Sequence, residues 1–208
     1  MMKRRKITLC LAAAGLLAAG ISGAKLYAEA ADIYDNTIRL HVLAASDSEE
    51  DQALKLTVRD ALVDEVAALT QGAKDKASGE AILRENIDYL TQIARTTLER
   101  EGCTDSVEIT LTEEYYPTRE YDRLRLPAGE YTSLQVKIGA AEGKNWWCIL
   151  FPPVCTSSAR AEEAMAETGF TKNQIRLLTE EEDPKYTLKF KVVEQFSKMK
   201  RSLKELFR

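Results

Sequence analysis

One histidine, His41, serves the whole 208-residue chain. That scarcity excludes a multi-histidine metal centre and an HExxH protease helix, both of which need imidazoles repeated at short spacing. A GxSxG nucleophile elbow and a phosphate-binding glycine loop are also missing. The Asp47-Glu49-Glu50-Asp51 cluster lacks the oxygen spacing and turn glycine of an EF-hand, so helix capping explains it more simply than calcium does. No internal repeat appears, and neither a cofactor nor a metal is expected. What is left for catalysis is a Cys/His pairing of His41 with Cys103 or Cys148, but His41 sits beside Arg39 on an ordinary strand face and nothing local marks either cysteine as a nucleophile.

Long uncharged runs are scarce too. Ile7 to Gly23 follows the basic head Lys3, Arg4, Arg5 and Lys6, and is short for a full span of about 20 residues. Residues 1–30 therefore read as a signal peptide or an N-terminal anchor, with Ala28-Glu29-Ala30 or Ser22-Gly23-Ala24 as the cleavage pattern. Cys10 follows Ile7-Thr8-Leu9 rather than the small residues of a lipoprotein site. The chain beyond it is long enough for one extracytoplasmic domain, 31–192, ending in a short segment, 193–208.

Charge is divided unequally. Residues 32–183 hold sixteen basic against thirty acidic side chains, whereas residues 184–208 hold eight against two. In the tail, Phe196, Met199, Leu203 and Leu206 recur at helical spacing among Lys198, Lys200, Arg201 and Lys204. This basic amphipathic helix suits an anionic membrane surface or the acidic body of its own domain; the second is the simpler assignment. An acidic body repels phosphate, so nucleic acid is not an expected partner.

Period changes along the chain predict the fold class. Ile38, Leu40 and Val42 alternate with Arg39 and His41, a first strand. Ser46-Asp47-Ser48 then caps a helix with the buried stripe Leu54, Val58, Ala61, Leu62, Val66 and Leu69, ended by Gly72. A second helix runs from about Ser78 to Glu101 and closes at Gly102. Alternation returns at Val107, Ile109 and Leu111, at Leu124 and Leu126, at Leu134, Val136 and Ile138, and at Trp146 to Phe151, with turns at Pro127-Ala128-Gly129-Glu130 and Gly139 to Gly143. The expectation is α+β: a small, mainly antiparallel sheet covered by two N-terminal helices, with a C-terminal amphipathic helix. Ser158 to Glu167 reads as a short helix, Leu178 to Pro184 as an acidic loop and Tyr186 to Val192 as a last strand.

The densest stretch is Lys144 to Cys155, KNWWCILFPPVC. Neighbouring side chains of a strand point to opposite faces, so Trp146 and Trp147 cannot enter one core together. One of them meets a second surface, either the protein's own helices or a partner. Cys148 and Cys155 can bridge if the two prolines bend the chain between them, leaving Cys103 free; two buried reduced thiols are the alternative.

Three separated motifs carry a family resemblance. Ile38-Arg39-Leu40-His41-Val42-Leu43-Ala44-Ala45-Ser46-Asp47-Ser48 with Asp51 to Lys55 and Val58-Arg59-Asp60, then Leu126-Pro127-Ala128-Gly129-Glu130-Tyr131, then Gly143 to Cys155, resemble stage II sporulation protein R of endospore-forming bacteria. The resemblance runs from residue 1 to 155 and resumes over Tyr186 to Glu194. It implies a signalling protein and not an enzyme, exported from the forespore into the space between forespore and mother cell. There such a protein activates a membrane-embedded aspartic protease, which processes the precursor of sigma factor E. The expected contact patch is Trp146 or Trp147, helped by Tyr115, Tyr116 or Tyr131. A secreted hydrolase with a Cys/His site and an envelope-surface binding module are the competing readings.

Overall fold

The computed structural model describes residues 33–121, 124–154 and 161–179, together with 191, 193–195, 197–199, 202, 203 and 206. The signal or anchor segment, Cys155, and nearly all of the expected Tyr186–Val192 strand lie outside the described residues.

Strand β1 (Ile38–Leu43) begins the sheet, and helix α1 (Glu49–Leu69) follows it. Ser48 caps α1 by accepting the Asp51 amide at 3.1 Å, and Glu49, Glu50 and Asp51 place negative charge on the positive end of the helix dipole. The expected second helix is two: α2 (Lys76–Glu85) and α3 (Ile87–Arg100). Asp75 and Ser78 form a reciprocal capping box at the start of α2. The break falls at Asn86, whose side-chain amide donates to the Ile82 carbonyl at 2.8 Å and competes with the helical ladder. Gly102, at φ +77°, ends α3 as expected. Its amide donates to Glu99 O at 3.0 Å and the Cys103 amide to Leu98 O at 2.9 Å, the paired bonds of a Schellman motif.

Strands β2 (Val107–Tyr116), β3 (Arg119–Tyr121), β4 (Leu124–Leu126), β5 (Gly129–Ile138) and β6 (Asn145–Phe151) complete the β structure, and helices α4 (Ala161–Glu167) and α5 (Lys172–Thr179) follow. The four-stranded sheet has the order β2-β5-β1-β6. β5 pairs antiparallel with β2, and β6 antiparallel with β1, but the central β1–β5 pairing is parallel, so the sheet is mixed. Hydrophobic alternation reveals which face a strand buries and not which way its neighbour runs, so the central pairing was invisible in sequence. β3 and β4 form a separate ribbon.

One face packs on the helices. Ile38, Leu40 and Val42 of β1, Leu134, Val136 and Ile138 of β5, and Val107 and Ile109 of β2 meet Val58, Leu62 and Val66 of α1, Leu83 of α2, and Leu90, Ala94 and Leu98 of α3. The opposite face is covered as well. Tyr116, Tyr131 and Ile149 enter a second core with Leu124 and Leu126 of the ribbon, Ala161 and Met165 of α4, Ile175 and Leu178 of α5, and Val193. Of the expected Ser158–Glu167 helix, Ala161–Glu167 is helical and 158–160 lie outside the described residues, whereas Leu178, read as the start of an acidic loop, belongs to α5.

The turn before β6 is clamped to the start of α1. Lys55 is buried and donates to the Lys144 carbonyl at 2.9 Å and to Gln52 Oε1 at 2.6 Å; burial pulls its ammonium pKa down. The Lys144 amide in turn donates to Asp47 Oδ1 at 2.7 Å. Gly143 lies so close to the Ser46 carbonyl that a Cβ would stand 2.1 Å from its oxygen, which is why no side chain fits there.

Candidate functional site

The alternation that sends Leu40 to the helices sends Arg39 and His41 to the other face. Arg39 is completely buried. Its Nε donates to the Cys148 carbonyl at 3.0 Å and an Nη donates to the Tyr121 hydroxyl. The guanidinium lies 4.2 Å from the ring centre of Tyr116, 5.0 Å from Tyr131 and 5.5 Å from Tyr121. Isolated burial of a charge is costly, and here three π faces and two oxygens replace the lost water. Burial pushes the phenol pKa values of Tyr116, Tyr121 and Tyr131 up, with Arg39 acting against it, so all three rings are neutral. The Arg39 Nη1 atom has no hydrogen-bond partner among the described residues.

His41 continues the row. Its Nδ1 is 2.8 Å from Glu114 Oε1 and its Nε2 2.9 Å from Asn145 Oδ1. Glu114 also accepts from Ser133 Oγ at 2.5 Å and from Gln135 Nε2 at 2.7 Å, and Tyr116 OH stands 2.7 Å from Ser133 Oγ. Burial pushes the Glu114 carboxyl pKa up, but the bonds from His41, Ser133 and Gln135 outweigh it and hold the carboxyl below its ordinary value. Four strands are thereby tied across one face by a single carboxylate and its neighbours.

That geometry decides what the face can do chemically. A serine nucleophile needs a base on its hydroxyl, and Ser133 is fully buried with the Glu114 carboxylate between it and His41. The Cys/His pairing is not formed. Cys148 is engaged in a disulfide, and Cys103, the free thiol among the described residues, packs in the core on the helix side, across the sheet from His41. The proposed bridge partner, Cys155, lies outside the described residues. The bend expected at the prolines coincides with a cis Phe151–Pro152 bond. No group of three or more His, Cys, Asp or Glu able to hold a metal occurs among the described residues.

The expected contact residues separate. Tyr116 and Tyr131 are interior members of the Arg39 cage, out of reach of any partner while the second core is closed. Tyr115 is half-buried. Trp147 is also half-buried: it lies 5.5 Å from the His41 ring, with the Arg119 guanidinium 3.7 Å above its own. Trp146 goes to the other face, 38% exposed, with Arg59 of α1 at 4.3 Å over its ring. Leu56, one helical turn before Arg59, is exposed beside it. The two tryptophans therefore do face opposite ways, one into the edge of a core and one to the surface. Arg39, Glu114, Tyr121 and Arg119 were not singled out in sequence. The available signal was the placing of Arg39 and His41 between apolar residues of one strand, which demands a buried counterpart if that strand is central.

The fold and the site define an α+β domain that carries a largely buried polar network on one sheet face and an aromatic–cationic surface where β6 meets α1. The family model for stage II sporulation protein R matches residues 34–161, a span that contains both features. The chain belongs to the stage II sporulation protein R family. It is 36% identical over 135 residues to stage II sporulation protein R of Bacillus subtilis (strain 168), a match covering 65% of this chain and 60% of that protein. The chain thus spans about 60% of the length of the curated relative it matches. No solved structure matches it.

Proposed function

We propose that this chain is an exported signalling protein of sporulation. It crosses the forespore membrane into the space facing the mother cell and there activates a membrane-embedded aspartic protease, which processes the precursor of sigma factor E. Membership of the family supports this reading most directly. An activator of this kind needs a binding face and no reacting group, since a ligand shifts a receptor's equilibrium only by binding one state better than the other.

The contact surface we assign is Trp146 with Leu56 and Arg59. The observation that carries it is a large aromatic side chain held partly exposed by a rigid clamp, with a cation on its ring. Tryptophan and arginine are the residues most often found dominating interface energies. Trp147, Tyr116 and Tyr131 support the fold behind it. The test is co-expression of the exported chain, its cognate protease and the sigma precursor in a non-sporulating host. Trp146→Ala is expected to lose precursor cleavage while the exported protein keeps its thermal unfolding midpoint. Wild-type cleavage by a folded Trp146→Ala, Leu56→Ala double variant would overturn the assignment of the surface. Absence of cleavage with the unaltered chain would overturn the activator reading itself.

A further inference from the structure

The family match ends at residue 161, and the last stretch of the chain carries a surface that the signalling reading does not use. The described residues of 193–206 are helical. Val193 and Ser197 are buried, Val193 within the second core, so the start of this helix is seated on the domain. Met199, Leu203 and Leu206 are 52, 51 and 78% exposed. At about 100° per residue these three fall within roughly 60° of one another, and Val193 and Ser197 lie roughly 110–150° from the middle of that stripe. The helix thus turns one side inward and presents an apolar stripe outward.

Charge indicates what covers the stripe. Residues 184–208 carry eight basic against two acidic side chains, on a body with the opposite balance. Lys198 is exposed beside the stripe, its ammonium 2.9 Å from Glu194. Pairing with the same helix of a second copy would bring two basic segments together. A bilayer containing anionic lipid supplies hydrocarbon for the stripe and phosphate for the cations. No helix among the described residues is long and apolar enough to cross a membrane.

We infer that the C-terminal helix is a peripheral membrane contact. It lies in the plane of an anionic lipid surface, with Met199, Leu203 and Leu206 at the acyl boundary and Lys198 among the headgroups. This inference does not rest on the activator reading and fails or stands separately from it.

The test reads the helix locally, in the full chain, so that binding by any other segment does not count. An environment-sensitive fluorophore is placed on Leu203→Cys in a Cys10→Ser, Cys103→Ser background. Its emission is expected to shift to the blue with phosphatidylglycerol-containing vesicles. Apparent affinity should fall by at least about tenfold on phosphatidylcholine alone or in high salt, since each cation near the headgroups contributes about 1 kcal/mol. The same label on Tyr89→Cys, an exposed position on α3, should not respond. Adding Met199→Glu and Leu206→Glu should abolish the Leu203 response without altering circular dichroism, because both positions are exposed. Three results would overturn the inference: protein that sediments with vesicles while the Leu203 label stays unshifted, an equal response on neutral lipid, or a lipid-free shift that grows with protein concentration, which would mean that a second copy covers the stripe.

Discussion

Replacing Glu114 with glutamine changes one oxygen for one amide and should cost more than its size suggests. The carboxylate accepts three side-chain hydrogen bonds, from His41, Ser133 and Gln135, in a partly buried setting. Bonds to a charged acceptor contribute about 1.5–3 kcal/mol each, against about 0.5–1.5 for neutral ones. Three bonds each losing about 1 kcal/mol give a loss of about 3 kcal/mol. Glutamine also turns one acceptor into a donor, in a site where His41 and Gln135 share Oε1 and Ser133 bonds Oε2. Urea unfolding at neutral pH measures the difference. The pH dependence makes the reasoning sharper. A carboxyl held below its ordinary value of 4.5 contributes stability that is fully present above that value and is lost as pH falls through the lower folded pKa. The gap between wild type and Glu114→Gln should therefore be widest near neutrality and close in acid. A variant as stable as wild type at pH 7, or a gap that stays constant into acid, would refute this account of the network.

Other perturbations follow from the same packing. Trp147→Ala should destabilise the domain by about 2–3 kcal/mol, because Trp147 backs His41 and Tyr116, whereas Trp146→Ala should cost less than about 1 kcal/mol; chemical denaturation of the two variants side by side gives the contrast. Gly143→Ala should cost about 3 kcal/mol, read as a lowered thermal midpoint, because its Cβ meets the Ser46 backbone rather than a movable side chain. Ser48→Ala removes the oxygen that receives the Asp51 amide and should cost about 1 kcal/mol, with faster hydrogen exchange confined to the first turn of α1.

Much of the helix layer was legible because its cues are local. Ser48, Gly102 and the stripe of Val58, Leu62 and Val66 act within one or two turns, and the structure places them as their chemistry dictates. The opposite orientation of Trp146 and Trp147 was equally readable, since it follows from strand geometry alone. The division at Asn86 was not, because a single side-chain bond to Ile82 decides it within an otherwise continuous apolar pattern. The cover over the second face was hidden for a different reason. Leu124, Met165, Ile175 and Val193 come from segments too short or too weakly patterned to show a common destination. Without that cover, Tyr116 and Tyr131 look like surface aromatics. With it they become the walls around a cation that the sequence displays as one arginine in an ordinary strand.

The place of β1 in the sheet has a consequence for how the domain comes into being. Both of its hydrogen-bonding neighbours, β5 and β6, follow it by about ninety residues or more. A polypeptide emerging amino end first, from a ribosome or from any narrow channel, therefore delivers its middle strand long before either companion exists. Until then the helices, the β2 segment and the β3–β4 ribbon are available to organise themselves, and final closure waits for the tryptophan-bearing strand. Assembly of this architecture is late and close to all-or-none, because the strand laid down first cannot be closed in until the last one arrives.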